Sequence, residues 1–298
     1  MIHLLPAILP VGLIILIGLI AGRSLSLQHQ TLSQLILYVL SPALVIDSLY
    51  RNNLPIASSL ALLQGFAITS GLLYLAIRLI SKITGFSRAS TTALVATSLF
   101  PNNGNMGLSV VSFALGTEGL ARAVIYMLGA SILMFCFGPA ILKGQGFVSG
   151  LKLIIKLPLI WAIALGIALR VFVGDMPFQL DEAIQKVGAA AIPIALILLG
   201  MQLAKTRFSL GIRELLAASI RLLLAPTIAY SVGNILHLTG LDLQVLVLQS
   251  AMPTAVSSLV LVHEFGGDQD FTARVIVTST LLSFISIPFV LWLLTIFS

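Results

Sequence analysis

The feature that most constrains the fold is a succession of apolar runs, separated by short polar or charged clusters. Each run is close to the roughly 20 residues that a helix needs to cross a bilayer. Lipid offers no partner to exposed backbone N–H and C=O groups, so runs of this length are expected to be helices. The sequence predicts an all-α polytopic membrane protein with ten transmembrane helices, at 4–22, 31–49, 56–80, 89–116, 121–142, 151–173, 183–203, 211–237, 243–265 and 271–297.

Composition excludes the other broad classes. Charged residues make up 9% of the 298 residues, against roughly 25% in soluble domains, and the ten runs leave little chain for an extramembrane domain. The net charge of +6 comes from short connections, so no nucleic-acid partner is expected. The lone Cys136 excludes an intrachain disulfide and a thiolate metal cluster. We therefore expect a protein of the plasma membrane, the inner membrane in bacteria, with no cofactor and no metal.

The distribution of positive charge predicts the orientation. Odd-numbered connections between the runs carry eleven Lys and Arg residues, and even-numbered connections carry four. Cytoplasmic loops are enriched in Lys and Arg. The odd connections are therefore expected in the cytoplasm, with both termini outside.

The two halves of the chain carry prolines and arginines at matching positions. Pro253 lies 152 residues after Pro101, and Arg274 lies 152 residues after Arg122. Pro42 in the second run and Pro193 in the seventh are 151 residues apart. These offsets predict a duplication into residues 1–142 and 143–298, each with five helices. An odd number of helices inverts the second copy, as in many secondary transporters.

Two of the runs are interrupted near their centres. In the fourth, a proline is followed by three asparagines and two glycines, which disfavour a continuous helix; the ninth has its own proline. An inverted repeat would bring the two breaks together at mid-membrane and present helix N-termini suited to an anion. The alternative is a pair of packing kinks. The predicted substrate-binding residues are Pro101, Asn102, Asn103, Gly104, Asn105, Gly107, Pro253, Thr254 and Ser257, together with Arg221.

Several short motifs, in order along the chain, resemble those of the auxin efflux carrier family, which includes plant PIN proteins and bacterial organic-acid permeases. Members usually carry a proline where this chain has Ser109. The connection from Lys143 to Lys152 is too short for the long loop of plant PIN proteins, so plant-type loop regulation should be absent. The motifs are Pro101 to Leu108, Ser41-Pro42-Ala43-Leu44, Pro193 to Gly200, and Ser279-Thr280-Leu281-Leu282-Ser283 with Pro288.

The resemblance implies a fold and a substrate class. Helices 1, 2, 6 and 7 would form a scaffold, and helices 3–5 and 8–10 a transport domain containing the crossed fourth and ninth helices. Substrates would be organic anions such as auxin or malate, contacted by Pro101, Asn102, Asn103, Asn105 and Pro253. Dimerisation is plausible by the same analogy.

Two charged residues in the runs need separate interpretation, because charge is costly in a bilayer. Arg221 lies eight residues beyond Arg213, too deep to reach the interface easily. It is either a counter-charge for a carboxylate substrate or a structural cation paired with helix carbonyls freed near Pro226. Asp47, four residues before Arg51, is either a coupling-ion carboxylate or half of a surface ion pair, and its place near the helix end favours the pair.

Together these observations predict a secondary transporter that moves a small organic anion by alternating access. A sodium-coupled bile-acid-type symporter or a drug/metabolite exporter would share the helix count. A membrane-embedded enzyme would need a catalytic cluster, and the carboxylates, histidines and cysteine are scattered over different helix ends. We therefore expect no catalytic residues.

Overall fold

The computed structural model describes residues 5–52, 54–143, 157–173, 175–205 and 211–297. The regular secondary structure of these residues is helical, and they form no strand beyond one isolated bridge, so the all-α prediction is confirmed. Most of the Lys143–Lys152 connection, and Arg207, lie outside the described residues. The main helices are α1 Leu5–Ser24, α2 His29–Arg51, α3 Ile56–Ile83, α4 Arg88–Leu99, α5 Leu108–Ile132, α6 Pro158–Phe172, α7 Leu180–Ala189, α8 Ala191–Lys205, α9 Ile212–Ile235, α10 Gly240–Ser250, α11 Ser257–Phe265 and α12 Gln269–Phe297. After α5 the chain continues through a π-helical turn, Leu133–Phe137, into a short helix, Gly138–Lys143.

Among the described residues, six helical stretches are long and apolar enough to cross a membrane, and shorter apolar helices occur in α1 and as α6. One of the six, Asn103–Leu142, runs through a sharp turn. At Gly116 the backbone reaches φ 67° and ψ −162°, a conformation that glycine adopts without steric cost. The turn divides α5 at the residue where the fourth apolar run is predicted to end.

One group of helices packs through small residues. α1 lies along α8, and α2 packs against α6 and α7. A Cβ atom added to Gly18 would collide with the backbone of Ile197, and one added to Gly200 would collide with the backbone of Ile15. Because glycine has no side chain, the backbones of α1 and α8 lie in direct contact at these two positions. Small residues commonly permit such close packing between membrane helices.

The remaining helices form a second packed group. α3 contacts α4, α5 and α9, while α10 packs against α5 and α9. Two ion pairs join helix ends in this group: Arg122 Nε lies 2.6 Å from Asp242 Oδ1, and Arg274 Nε lies 2.6 Å from Glu214 Oε1. The two arginines that mark equivalent positions in the proposed repeat thus tie neighbouring helices together at their ends.

Candidate functional site

Helices end close to both of the prolines at which the sequence predicts a break. α4 ends at Leu99, and a π-helical turn, Asn103–Gly107, leads into α5. α10 ends at Ser250, and α11 begins only at Ser257. Proline lacks an N–H donor and its ring blocks the preceding helical turn, so each interruption follows from local sequence.

The two interrupted segments are bonded to each other. The Asn102 N–H donates to the Pro253 carbonyl at 2.7 Å, and the Ala255 N–H donates to the Phe100 carbonyl at 2.9 Å. These bonds form a short antiparallel bridge at Pro101 and Thr254. Backbone groups released by each break are therefore satisfied by the other, which non-helical backbone requires inside a membrane.

Buried hydroxyl groups reinforce the bridge from neighbouring turns. Thr254 Oγ1 donates to the Thr97 carbonyl at 2.7 Å, and its backbone N–H donates to Ser279 Oγ at 3.2 Å. Ser258 Oγ donates to the Ala96 carbonyl at 3.2 Å. Thr254 thus connects the second break to α4 and α12, and Ser258 connects α11 to α4.

Carboxamide side chains line the same region with unused hydrogen-bonding capacity. Asn103 is 3% exposed, and neither its Oδ1 nor its Nδ2 has a hydrogen-bond partner among the described residues. The Nδ2 of Asn102 is also buried and has no hydrogen-bond partner among the described residues. A buried polar group left unpaired costs about 1–3 kcal/mol, so this concentration is typical of a site that binds a polar ligand.

Gln249, which was not predicted, belongs to this group. It is fully buried, and its Oε1 and Nε2 also have no partner in the described part of the chain. A Cβ atom added to Gly107 would collide with the Gln249 carboxamide, so this side chain lies directly against the break after α4. The signal available in the sequence was a glutamine inside the ninth predicted helix, four residues before Pro253.

The predicted substrate residues separate by burial. Pro101, Asn102, Asn103, Gly107, Pro253 and Thr254 are buried, and Asn105 is half-buried. Gly104 and Ser257 are exposed. Ser109 Oγ donates to the Asn105 carbonyl at 2.7 Å. The structure therefore brings most of the predicted residues into one buried region and leaves two at its exposed edge.

Arg221 lies beside this region and contacts both interrupted helices. Its side chain is 2% exposed. Nη1 donates to the Ser98 carbonyl at 2.5 Å, and Nη2 donates to the Ser250 carbonyl. The carbonyls that it meets are those at the ends of α4 and α10.

Asp47 lies in a network of ion pairs at the end of α2. Arg51 Nε is 2.7 Å from Asp47 Oδ1, and Arg51 Nη2 is 2.8 Å from Asp181 Oδ2 on α7. The network connects α2 to α7. No cluster of three or more potential metal-ligating side chains occurs among the residues that the structure describes.

The chain is similar to known transporters along nearly its whole length. The profile of the family described as "Membrane transport protein" matches residues 3–147 and 146–291. An "Uncharacterized transporter" of Methanothermobacter thermautotrophicus is 29% identical over 267 residues, covering 88% of this chain and 87% of the relative. The "Uncharacterized transporter YfdV" of Escherichia coli K12 is 25% identical over 275 residues, covering 87% of each.

A third relative has a name that includes a substrate. The "Putative malonate transporter" of Rhizobium meliloti is 25% identical over 310 aligned residues, covering 96% of this chain and 94% of the relative. The family match and the apolar helices make this an integral membrane protein that acts in transport. The chain belongs to the membrane transport protein family, the auxin efflux carrier family whose motifs its sequence resembles.

Proposed function

We propose that this transporter carries a small organic anion, such as a dicarboxylate, and binds it at the two bonded helix breaks. The observation that carries the proposal is the set of buried carboxamides without partners, on Asn102, Asn103 and Gln249. Their N–H groups are suitable donors for carboxylate oxygens. A bound anion would satisfy donors that are otherwise buried without a partner.

Helix polarity favours the same charge. The helical stretch that includes α5 begins with the π-helical turn at Asn103, and α11 begins at Ser257, each on the C-terminal side of its break. Helix N-termini carry free N–H groups and a partial positive charge, which favour anions. The name of the Rhizobium meliloti relative supports a dicarboxylate within this class.

The ten-helix inverted repeat is the architecture that we propose for this transport. If the chain crosses the membrane ten times, even-numbered connections lie on one side and odd-numbered connections on the other. An ion pair between two connections therefore requires both to be even-numbered or both odd-numbered. Arg51–Asp181 and Arg122–Asp242 each join two even-numbered connections, while Arg274–Glu214 joins two odd-numbered ones. This agreement supports the predicted alternation. From the charge distribution we propose separately that the odd connections lie in the cytoplasm, in bacteria beneath the inner membrane.

Packing supports a division into two moving parts. α1, α2, α6, α7 and α8, which cover predicted helices 1, 2, 6 and 7, contact one another. The second group consists of α3–α5 and α9–α12, which cover predicted helices 3–5 and 8–10. In the proposed cycle the second group, which contains the paired breaks, moves against the first. The site would then open alternately to the two sides of the membrane.

The test is counterflow of labelled malonate and malate in proteoliposomes, comparing wild type with Asn103→Ala. Asn103→Ala is expected to lower exchange about tenfold or more, the factor that corresponds to losing about 1.4 kcal/mol of interaction. Asn234→Ala is the matched control, because the Asn234 carboxamide is exposed and donates to the Tyr230 carbonyl on its own helix.

Two outcomes would contradict the proposal. Equal exchange by wild type and Asn103→Ala would remove the substrate from the helix breaks. Absence of carboxylate exchange by folded wild-type protein would remove the substrate class. Exchange that requires sodium would instead favour the bile-acid-type symporter.

A further inference from the structure

Arg221 connects positions that are equivalent in the two halves of the chain. The two carbonyls that it binds belong to Ser98 and Ser250, which are 152 residues apart. This is the spacing that separates Pro101 from Pro253. One side chain therefore joins the ends of two helices that correspond to each other in the proposed repeat.

The charges at this point are balanced without a carboxylate. Each helix C-terminus carries roughly half a negative charge, so the ends of α4 and α10 together provide about one. The guanidinium of Arg221 supplies one positive charge, and none of the described carboxylates forms an ion pair with it. Two converging helix ends would repel each other, and Arg221 neutralises both.

Arginine is suited to this geometry for a physical reason. Its planar guanidinium presents several N–H donors in a rigid fork, whereas lysine offers a point charge on a flexible stem. The rigid fork holds two carbonyls on different helices at a fixed separation, which a flexible stem does not. The Tyr126 hydroxyl adds a neighbouring contact, 2.9 Å from Ser250 Oγ.

We propose that Arg221 is a positioning residue that holds the C-terminal ends of α4 and α10 together and so sets the relative position of the two helix breaks. The transport part of this inference rests on the proposed function. Carbonyls occupy one N–H of each terminal nitrogen and offset the charge, while Nε has no hydrogen-bond partner among the described residues. Because its two terminal contacts are to helix ends, we assign Arg221 to ordering the site rather than to serving as the principal counter-charge of the substrate. It is distinct from the carboxamides that we assign to substrate contact.

The first test measures helix geometry and does not depend on the substrate. Cys136 is the only cysteine, so a Cys136→Ala protein with cysteines introduced at Arg88 and Thr239 can carry two spin labels. Both sites are exposed, one at the first residue of α4 and the other immediately before α10. Pulsed electron paramagnetic resonance then reports the distance between the two helices.

The parent protein is expected to give one narrow distance distribution, and Arg221→Gln a broader or shifted one. Arg221→Lys should also broaden the distribution, because its ammonium sits on a flexible stem and lacks the rigid fork that fixes the two carbonyls relative to each other. Arg170→Gln is the matched control, since Arg170 also donates to a backbone carbonyl, that of Asn52, but outside this site. If Arg221→Gln fails to fold, Arg221→Lys carries the test. A parent-like distribution in the folded variant would overturn the proposal.

The second test separates positioning from direct substrate binding. In Arg221→Gln, which removes the charge, positioning predicts that the apparent affinities for monocarboxylates and dicarboxylates fall by the same factor. A direct counter-charge would predict a larger loss for the dicarboxylate, and that result would overturn the inference. If wild type exchanges no carboxylate but Arg221→Gln broadens the distance distribution, the positioning role stands and only the proposed substrate class fails.

Discussion

Single buried side chains carry the evidence for a site in this transporter. Asn103 and Gln249 belong to segments nearly 150 residues apart, and both bury carboxamides without a partner among the described residues. Such groups cost free energy in the folded state. Functional sites commonly retain groups that are unfavourable for stability.

Gln249→Leu tests this trade-off. We expect exchange to fall about tenfold or more while thermal stability is unchanged or higher, because the substitution removes an unpaired amide whose burial costs about 1–3 kcal/mol. Exchange in proteoliposomes and thermal unfolding in detergent measure the two effects. Gln64→Leu is the control, since Gln64 lies on α3 and is exposed. Unimpaired exchange in Gln249→Leu would exclude Gln249 from the site.

Helix contacts determine how the first packed group is built. The crossing of α1 and α8 depends on Gly18 and Gly200, where an added Cβ would meet backbone atoms rather than a flexible side-chain end. The backbones themselves must then separate, and overpacking of this kind costs about 1–3 kcal/mol. The pair therefore sets the distance between these two helices.

Gly200→Ala is expected to destabilise the protein by about 1–3 kcal/mol, measured by thermal or denaturant unfolding in detergent. Gly71→Ala is the matched control, because nothing lies within 4 Å of an added Cβ there. In that position alanine should be neutral or stabilising, since it favours helix over glycine by about 0.5–1 kcal/mol. Equal stabilities of the two variants would argue against a close crossing at Gly200.

At the scale of the whole molecule, the charge distribution predicts an orientation, and the ion pairs are consistent with the alternation of connections that it assumes. The predicted cytoplasmic connections hold eleven Lys and Arg residues against four outside. Arg274 and Glu214, which form one ion pair, both lie at odd connections. The positions of the termini remain a prediction.

Cysteine labelling of the Cys136→Ala protein tests the orientation. A cysteine at Thr239 should react with a membrane-impermeant maleimide added outside intact cells. One at Arg88 should react only in inverted vesicles or after permeabilisation, because positively charged connections stay in the cytoplasm. The reverse pattern would invert the predicted topology, and labelling of both from one side would contradict the ten-helix arrangement.

The sequence by itself determined the features that depend on local chemistry. Long apolar runs predict helices, and Pro101 and Pro253 break them, because lipid exposure and proline act on neighbouring residues alone. Family membership likewise follows from motifs read in order, whereas the inverted repeat remains a prediction.

Only the tertiary structure decided which side chains meet. The carbonyl partners of Arg221, at Ser98 and Ser250, lie 123 and 29 residues away in sequence, and no periodicity encodes them. The burial of Gln249 against Gly107 and the exposure of Ser257 depend likewise on how distant segments pack. Such contacts are products of the whole fold, since each requires helices from different parts of the chain to be in place.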